Sequence, residues 1–474
     1  MKVVVIGIDG ATWDPVLPYI NKGLLPGYSK FWNEGLHGPL ISTIPYITQP
    51  GWRAYSMGKN PGKMGVYFWS KIDWVNMKIK NINSLGFDGQ DYWDILSDMG
   101  IKVAIIDMPS TFPPKKVNGV LISGLPHGEG DWIYPKEFQE KLPAWYPKDG
   151  VHLFTKNEDP EITMDGIEAE IKSRFDMAEM LWDHDLIHIS VVMNDHVSHF
   201  MWNNEHIMYR NLKANDEGIQ KVLKMNKDGY TFLMSDHGNG PIEDEFYANE
   251  FLSKEGLLIV KEKKNSLITR EGVVKIGSKF GLYKLARSLP QSMQQKIIRR
   301  VQALDSVMES GIEDRIDWKG SRIIAMDEGL FYINPLYYEE KEDLENELRA
   351  KLLNLRSKTG KPVFKNIFKG NEVYWGKHLS EAPDIVALTN EIYHQRYPLS
   401  GYMWASDIPE ESWGYRTKQV GHHRIKGIFG LVGPGIVPKQ ITASIYDLAP
   451  TILKLYNAKI PEDMDGKNLI PAKI

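Results

Sequence analysis

At 474 residues the chain exceeds one ordinary domain, and its 42% hydrophobic and 25% charged residues are those of a globular protein rather than a fibrous or disordered one. A formal net charge of −4 excludes bulk electrostatic attraction to nucleic acid, so no nucleic-acid binding is expected. The absence of cysteine excludes thiol catalysis, thiolate metal sites and disulfides, and leaves Asp, Glu, His and hydroxyl groups to hold any metal.

The opening "MKVVVIGIDG" carries an apolar run, Val3–Ile8, that stops at Asp9. It is too short for a secretory apolar region and lacks a small-residue cleavage site. No segment reaches ~18 consecutive apolar residues, so no membrane-spanning helix is predicted and a cytoplasmic location is expected. From Ile44 to Trp69 the chain reads "IPYITQPGWRAYSMGKNPGKMGVYFW", with Thr48 at what reads as the mouth of a helix. Thr48 is either an N-cap or a hydroxyl needing activation by a base or a metal. At a helix N-terminus, neighbouring N–H groups would also favour an anion.

Short apolar runs follow at Val103–Ile106, Val120–Ile122, Leu186–Met193, Tyr230–Met234, Ile385–Leu388 and Ile428–Val432. Alternating with helical patterns, they predict buried strands of a parallel sheet with helices on both faces, an α/β fold. Between Tyr230–Met234 and the later runs, residues 241–319 are basic and amphipathic. They read as an inserted helical cap on a core of 1–240 and 320–474. Within the insertion, 276–305 could touch a membrane surface or an anionic substrate.

In open parallel sheets, ligands bind beyond the carboxyl ends of the strands. Reading only those ends yields Asp9, then Asp195 and His199 in "NDHVSHFMW", then Asp236 and His237 in "SDHGNG". Asp195 and His199 are four apart, which puts them on one helical face if the strand turns into a helix. "GHHR", with His422 and His423, precedes a strand, so a loop would have to carry it to the same edge. Carboxylates and imidazoles so gathered are a ligand set for zinc or manganese. Asp107 closes another strand, where a turn role is expected.

Taken together, the motifs resemble the alkaline phosphatase superfamily, and within it the nucleotide pyrophosphatase/phosphodiesterase (type I phosphodiesterase) family. "GIDGATWD", "TQPGWRAYSMGKNPGKMGV", "DHVSHFMW", "SDHGN", "GHHRIKGIFGLVGPGI" and the tail "SIYDLAPTILKLYNAKIPEDMDGKNL" occur in family order. The resemblance implies an alkaline-phosphatase-like core and two divalent ions, zinc or else manganese. Asp9, Thr48, Asp236 and His237 would hold one ion; Asp195, His199 and His423 the other. His422 would then lie behind the ligands or face solvent, and His196 is surplus. Thr48 is implied as the nucleophile of a hydrolase cleaving a phosphodiester or pyrophosphate bond through a threonyl-phosphate. The substrate would be a nucleotide or a sugar- or lipid-linked phosphate.

In one respect the chain departs from the family. Trp69 falls where many members carry an Asn that holds a phosphoryl oxygen. The Gln49 backbone N–H, Arg53 or Asn239 would compensate, with a solvated helix charge as the other reading of Arg53. The rival activities are a phosphomonoesterase or phosphoglycerate-mutase-like enzyme, and a phosphotransferase acting on lipid- or sugar-linked phosphate. A non-catalytic scaffold would be expected to lack some of the ligands. All seven positions carry competent residues.

Overall fold

The computed structural model describes residues 1–126, 130–146, 154, 159–261, 312–413 and 417–470. Its centre is a ten-stranded sheet. Strands run in the order Lys439–Gln440, Leu36–Ile41, Lys426–Val432, Tyr230–Met234, Val3–Ile8, Leu186–Val191, Val103–Met108, Gly119–Ser123, Ile133–Tyr134, with Ala443–Ser444 also on Leu36–Ile41. From Tyr230–Met234 to Gly119–Ser123 every pairing is parallel. All those carboxyl ends therefore open on one edge.

Val3–Ile8 shows why such a run lies centrally. Alternate side chains leave a strand on opposite faces. Val4, Ile6 and Ile8 enter one hydrophobic cluster, while Val3 and Val5 enter another. Helices cover both: Pro160–Met180 and Glu205–Met225 contribute to the first cluster, Thr48–Met57 and Leu448–Leu455 to the second. Complete burial of one such aliphatic side chain contributes roughly 1.5–3 kcal/mol. A polar residue on either face would be costly.

Two strand expectations need correction. Lys426–Val432 joins the central sheet, but antiparallel to both Leu36–Ile41 and Tyr230–Met234. Ile385–Thr389 is not in that sheet. It pairs antiparallel with Leu330–Ile333 and Phe364–Lys369 in a four-stranded sheet that also includes Ile323–Met326. An apolar run of five residues reports burial on two sides and nothing about the direction of its partners, so both sheets accept it.

The second sheet has its own core, in which Phe246, Phe251, Leu257 and Leu258 pack with Ile316, Ile323, Phe331, Leu348 and Ile385. Residues on both flanks of 262–311 thus share one cluster with part of the region read as core. Asp244–Tyr247 forms a strand parallel to Tyr393–Arg396, and Ala248–Lys254 forms a helix. The remaining helical expectation for the insertion, and the 276–305 surface contact, lie outside the described residues. A small cluster of Ile47, Tyr67, Phe68, Met326, Leu330, Tyr374 and Val386, with Trp69 against it, joins the Thr48 segment to the second sheet. Trp69 is thereby a packing residue. No helix among the described residues is long and apolar enough to cross a membrane.

Candidate active site

Three adjacent strands present the acidic groups. In-register pairing places Ile8 beside Val191 and Gly7 beside Met234, so Asp9, Asp195 and Asp236 leave the same edge within a few residues of one another. Gly10 makes the first departure possible. Its φ is +67°, and a Cβ there would sit 2.1 Å from Asn239 Nδ2 and 2.8 Å from Asp195 Oδ1. Only glycine meets both demands.

Around Asp9 the groups are tightly held. Trp52 Nε1 donates to Asp9 Oδ2 at 2.9 Å, while Asp9 Oδ1 has no hydrogen-bond partner. Gly10 N–H donates to Asp236 Oδ1 at 3.3 Å, and Asp236 Oδ2 likewise has none. His237 Nε2 lies 3.5 Å from Asp9 Oδ1 and 3.2 Å from Asp236 Oδ2. Its Nδ1 faces the Gly238 carbonyl at 3.0 Å, which fixes the tautomer with Nε2 free to accept. Thr48 Oγ1 sits 3.3 Å from that Nε2.

Thr48 is the first residue of the helix Thr48–Met57, and Ile47 is the N-cap, without a side-chain cap bond. The N-cap reading is therefore ruled out. A first-turn position leaves the nearby N–H groups without partners inside the helix.

The second group is built on the helix Met193–Met201. His199 Nε2 lies 2.9 Å from Asp195 Oδ2, and its Nδ1 faces the Gly421 carbonyl at 2.9 Å. Asn239 Nδ2 donates to Asp195 Oδ1 at 2.8 Å. "GHHR" is carried by a strand rather than a loop. Gly421–Arg424 pairs antiparallel with Gly238–Pro241, setting His423 opposite Asn239. His423 Nε2 comes within 3.6 Å of Asp195 Oδ1, and its ring centroid is 4.0 Å from that of His237, so the two groups adjoin. His422 reaches Glu328 Oε1 with Nε2 at 2.8 Å, while its Nδ1 lies 3.4 Å from His199 Nδ1, and with His199 and His423 it also forms a group able to hold a metal.

Electrostatics show what the cluster lacks. Burial, then repulsion from Asp236 and Asp195, pushes the Asp9 carboxyl well above the usual range. Asp236 rises well above it through burial and Asp195. Burial and the neighbouring His423 push His237 down to about 3. Burial also works against the charged form of Asp195, but His199, His423 and His237 outweigh it and hold that carboxyl well below the usual range. Buried carboxyls whose free oxygens lie beside the neutral His237 imidazole fit a divalent cation. Asp9, Asp236 and His237 form one group able to hold a metal; Asp195, His237 and His423 form another.

Of the phosphate-binding expectations, Asn239 is brought to the cluster and Gln49 lies at the second position of the Thr48 helix, with its side chain donating to the Ile82 carbonyl. Arg53 is not brought in. It is buried, with Nη2 3.1 Å from Asp91 Oδ2 and its guanidinium over Phe87. Neither the solvated-charge reading nor the phosphate reading describes it. His196 stacks on Phe154. Asp107 has φ +54° and accepts from Tyr146, consistent with a turn held by a buried network.

Sequence reasoning missed Trp52, Glu328, Glu245 and His394. Glu328 Oε1 lies 3.5 Å from His423 Nδ1 as well as beside His422. The residues come from four distant segments with no shared spacing, so only the "GHHR" pair offered any signal.

With this geometry in place, comparison with known proteins is decisive. Residues 3–402 match the family model "Type I phosphodiesterase / nucleotide pyrophosphatase". The chain belongs to that family. Among curated proteins, no sequence matches. Among solved structures, human ectonucleotide pyrophosphatase/phosphodiesterase 5 is 13% identical, with 98% of this chain and 97% of that one covered and a TM-score of 0.56. Alkaline phosphatase PafA is 14% identical over 99% and 98%, with a TM-score of 0.59. Phosphonoacetate hydrolase from Sinorhizobium meliloti 1021 is 11% identical over 95% and 94%, at 0.58. At such identities these neighbours establish the fold. Family membership establishes the class: this type I phosphodiesterase family member is a phosphoryl hydrolase.

Proposed function

We propose that the protein hydrolyses phosphodiester or pyrophosphate bonds with Thr48 as nucleophile and two divalent cations, zinc or else manganese. One ion would be held by Asp9, Thr48, Asp236 and His237, the other by Asp195, His199 and His423. The observation that carries this reading is Thr48 Oγ1 at a helix N-terminus, 3.3 Å from His237 Nε2, beside two buried carboxylate oxygens without partners.

When bound, such ions counter phosphoryl charge and lower the pKa of an attacking hydroxyl or water. Thr48 Oγ, its proton lost to solvent, attacks phosphorus, and its bond forms as the bond to the departing oxygen breaks. The leaving group takes a proton from solvent. Water then cleaves the threonyl-phosphate, its oxygen going to phosphorus and a proton to Thr48 Oγ, which returns the hydroxyl and releases a phosphomonoester. The Gln49 N–H, in the first turn of the Thr48 helix, would donate to an equatorial oxygen, with the Asn239 amide, held on Asp195, as a second donor beside it. Gly238 and Gly421 carbonyls hold the Nδ1 protons of His237 and His199, so each Nε2 stays available. A nucleotide substrate is supported by the family description and by murine ectonucleotide pyrophosphatase/phosphodiesterase 5, which was solved in an inactive form with AMP.

The test is hydrolysis of bis-p-nitrophenyl phosphate against p-nitrophenyl phosphate, by chelated protein given back Zn²⁺ or Mn²⁺, with Thr48→Ala alongside. Diester preference requiring both metal and Thr48 supports the proposal. Monoester preference would transfer the protein to the phosphatase branch, and turnover by Thr48→Ala would remove the nucleophile assignment.

A further inference from the structure

Beside the proposed metal ligands lies a second cluster that the reaction does not use. Glu328 stands in the turn between Ile323–Met326 and Leu330–Ile333, His394 is on Tyr393–Arg396, and His422 is on Gly421–Arg424. Glu328 is held at φ +63°, a conformation that costs a non-glycine residue about 1 kcal/mol or more. Its Oε1 is 2.8 Å from His422 Nε2 and 3.5 Å from His394 Nε2. A tetrahedral site with bonds of ~2.0–2.1 Å separates its donors by about 3.3 Å. The three donor atoms lie within 4.8 Å of one another, close enough to converge on one small ion.

We propose that Glu328, His394 and His422 bind a third divalent cation, of the zinc or manganese class, which ties the second sheet to the catalytic edge.

Two further observations support the site. His394 is 4% exposed, yet neither ring nitrogen makes a well-aligned hydrogen bond. Glu245 Oε1 lies 3.3 Å from His394 Nδ1, the carboxylate–imidazole arrangement that keeps the opposite nitrogen free for a metal. Among the described residues, Glu245, Asp327 and Glu328 bring three carboxylates into the region, and Arg396 meets two of them, with Nη1 3.2 Å from Glu245 and Nε 3.6 Å from Asp327. Two imidazoles and one carboxylate suit zinc or manganese better than calcium or magnesium, which favour oxygen-only shells.

The proposal stands apart from the reaction assigned to the neighbouring site, so the experiment reads ions rather than turnover. Full-length protein is equilibrated with Zn²⁺, freed of excess and assayed for zinc per chain, and crystals of it are measured for anomalous scattering at the zinc edge. Three ions per chain are expected, one of them between Glu328, His394 and His422. His394→Gln should retain two. Glu245→Gln, which leaves all three ligands in place, should bind the third ion 10- to 100-fold more weakly. Wild-type crystals with no anomalous peak between these three residues overturn the proposal, whatever is found at Asp9 or Asp195, and this holds even if His394→Gln fails to fold. A peak here with none at Asp9 or Asp195 upholds it while removing the two-ion reading of the catalytic site.

Discussion

At the scale of single residues, Thr48 and Arg53 show opposite outcomes of reading one helix. Thr48 neither caps the helix nor packs its core, because Ile47 is the N-cap and the hydroxyl is directed at His237. Thr48→Ala should therefore abolish turnover while changing stability by no more than about 0.5 kcal/mol, checked by thermal melts beside the assay. Arg53 and Asp91 are both almost wholly buried, so removing the guanidinium strands a carboxylate. Ser56 Oγ, 2.6 Å from Asp91, and Lys115, 3.6 Å away, recover part of the loss. Arg53→Ala should cost about 3 kcal/mol in urea unfolding, the low end for a broken buried pair, without the raised KM of a lost phosphate contact. Trp52→Phe keeps the ring but deletes the donor to Asp9 Oδ2. A 10- to 100-fold loss of zinc affinity is expected by competition with a chelating dye. The strand-end acids were legible because a short apolar run followed by Asp is a local pattern. Arg53 was not, because its partner lies in another segment and burial has no local spelling.

At the scale of elements, Val3–Ile8 and Tyr230–Met234 have the bounds their apolar runs predict, whereas Ile385–Thr389 belongs to the other sheet. Long-range pairing decides that difference, and a pentapeptide cannot encode it. Short elements outside the sheets are joined by ion pairs, with pH-dependent consequences. His378 links segments through Asp88 Oδ2 at 2.9 Å and Glu381 Oε1 at 3.0 Å, and those two acids raise its pKa above the ordinary 6.5. A raised folded value means the contribution is complete below 6.5 and fades as pH climbs through the higher folded value. His378→Gln should thus melt below wild type at pH 5.5 and approach it by pH 8.5. The gap should be no more than roughly 0.5 kcal/mol, because the pair is largely solvated.

At the scale of the whole molecule, the acidic edge makes stability depend on its ions. Asp9 and Asp236 have raised folded values without metal, so these two carboxyls take stability from the metal-free protein as pH rises from the ordinary carboxylate range through those values, against the opposite slope of His237. Asp195, held low, is already ionised throughout that interval and adds no slope. Bound cations remove the repulsion, and ligand at about a thousand times its Kd adds about 4 kcal/mol. Chelation should therefore lower Tm, and the gap between loaded and chelated protein should widen from pH 5 to pH 8 in paired calorimetric scans. Equal melting at all pH values would mean the edge is stable without ions.

Lys426–Val432 lies between Leu36–Ile41 and Tyr230–Met234, near the middle of the central sheet, although it comes late in the chain. During synthesis Tyr230–Met234 consequently waits with one edge unpaired, and Leu36–Ile41 has no place beside it until most of the polypeptide has left the ribosome. An exposed edge of that kind recruits other strands. Nascent chains halted before Gly421 should be captured by holdase chaperones or aggregate, and releasing the remainder should convert them in a single step. The strand that bridges Leu36–Ile41 and Tyr230–Met234 follows directly on His422 and His423, so a ribosome-bound chain gains its last histidines and the joining of the two parts of its sheet together.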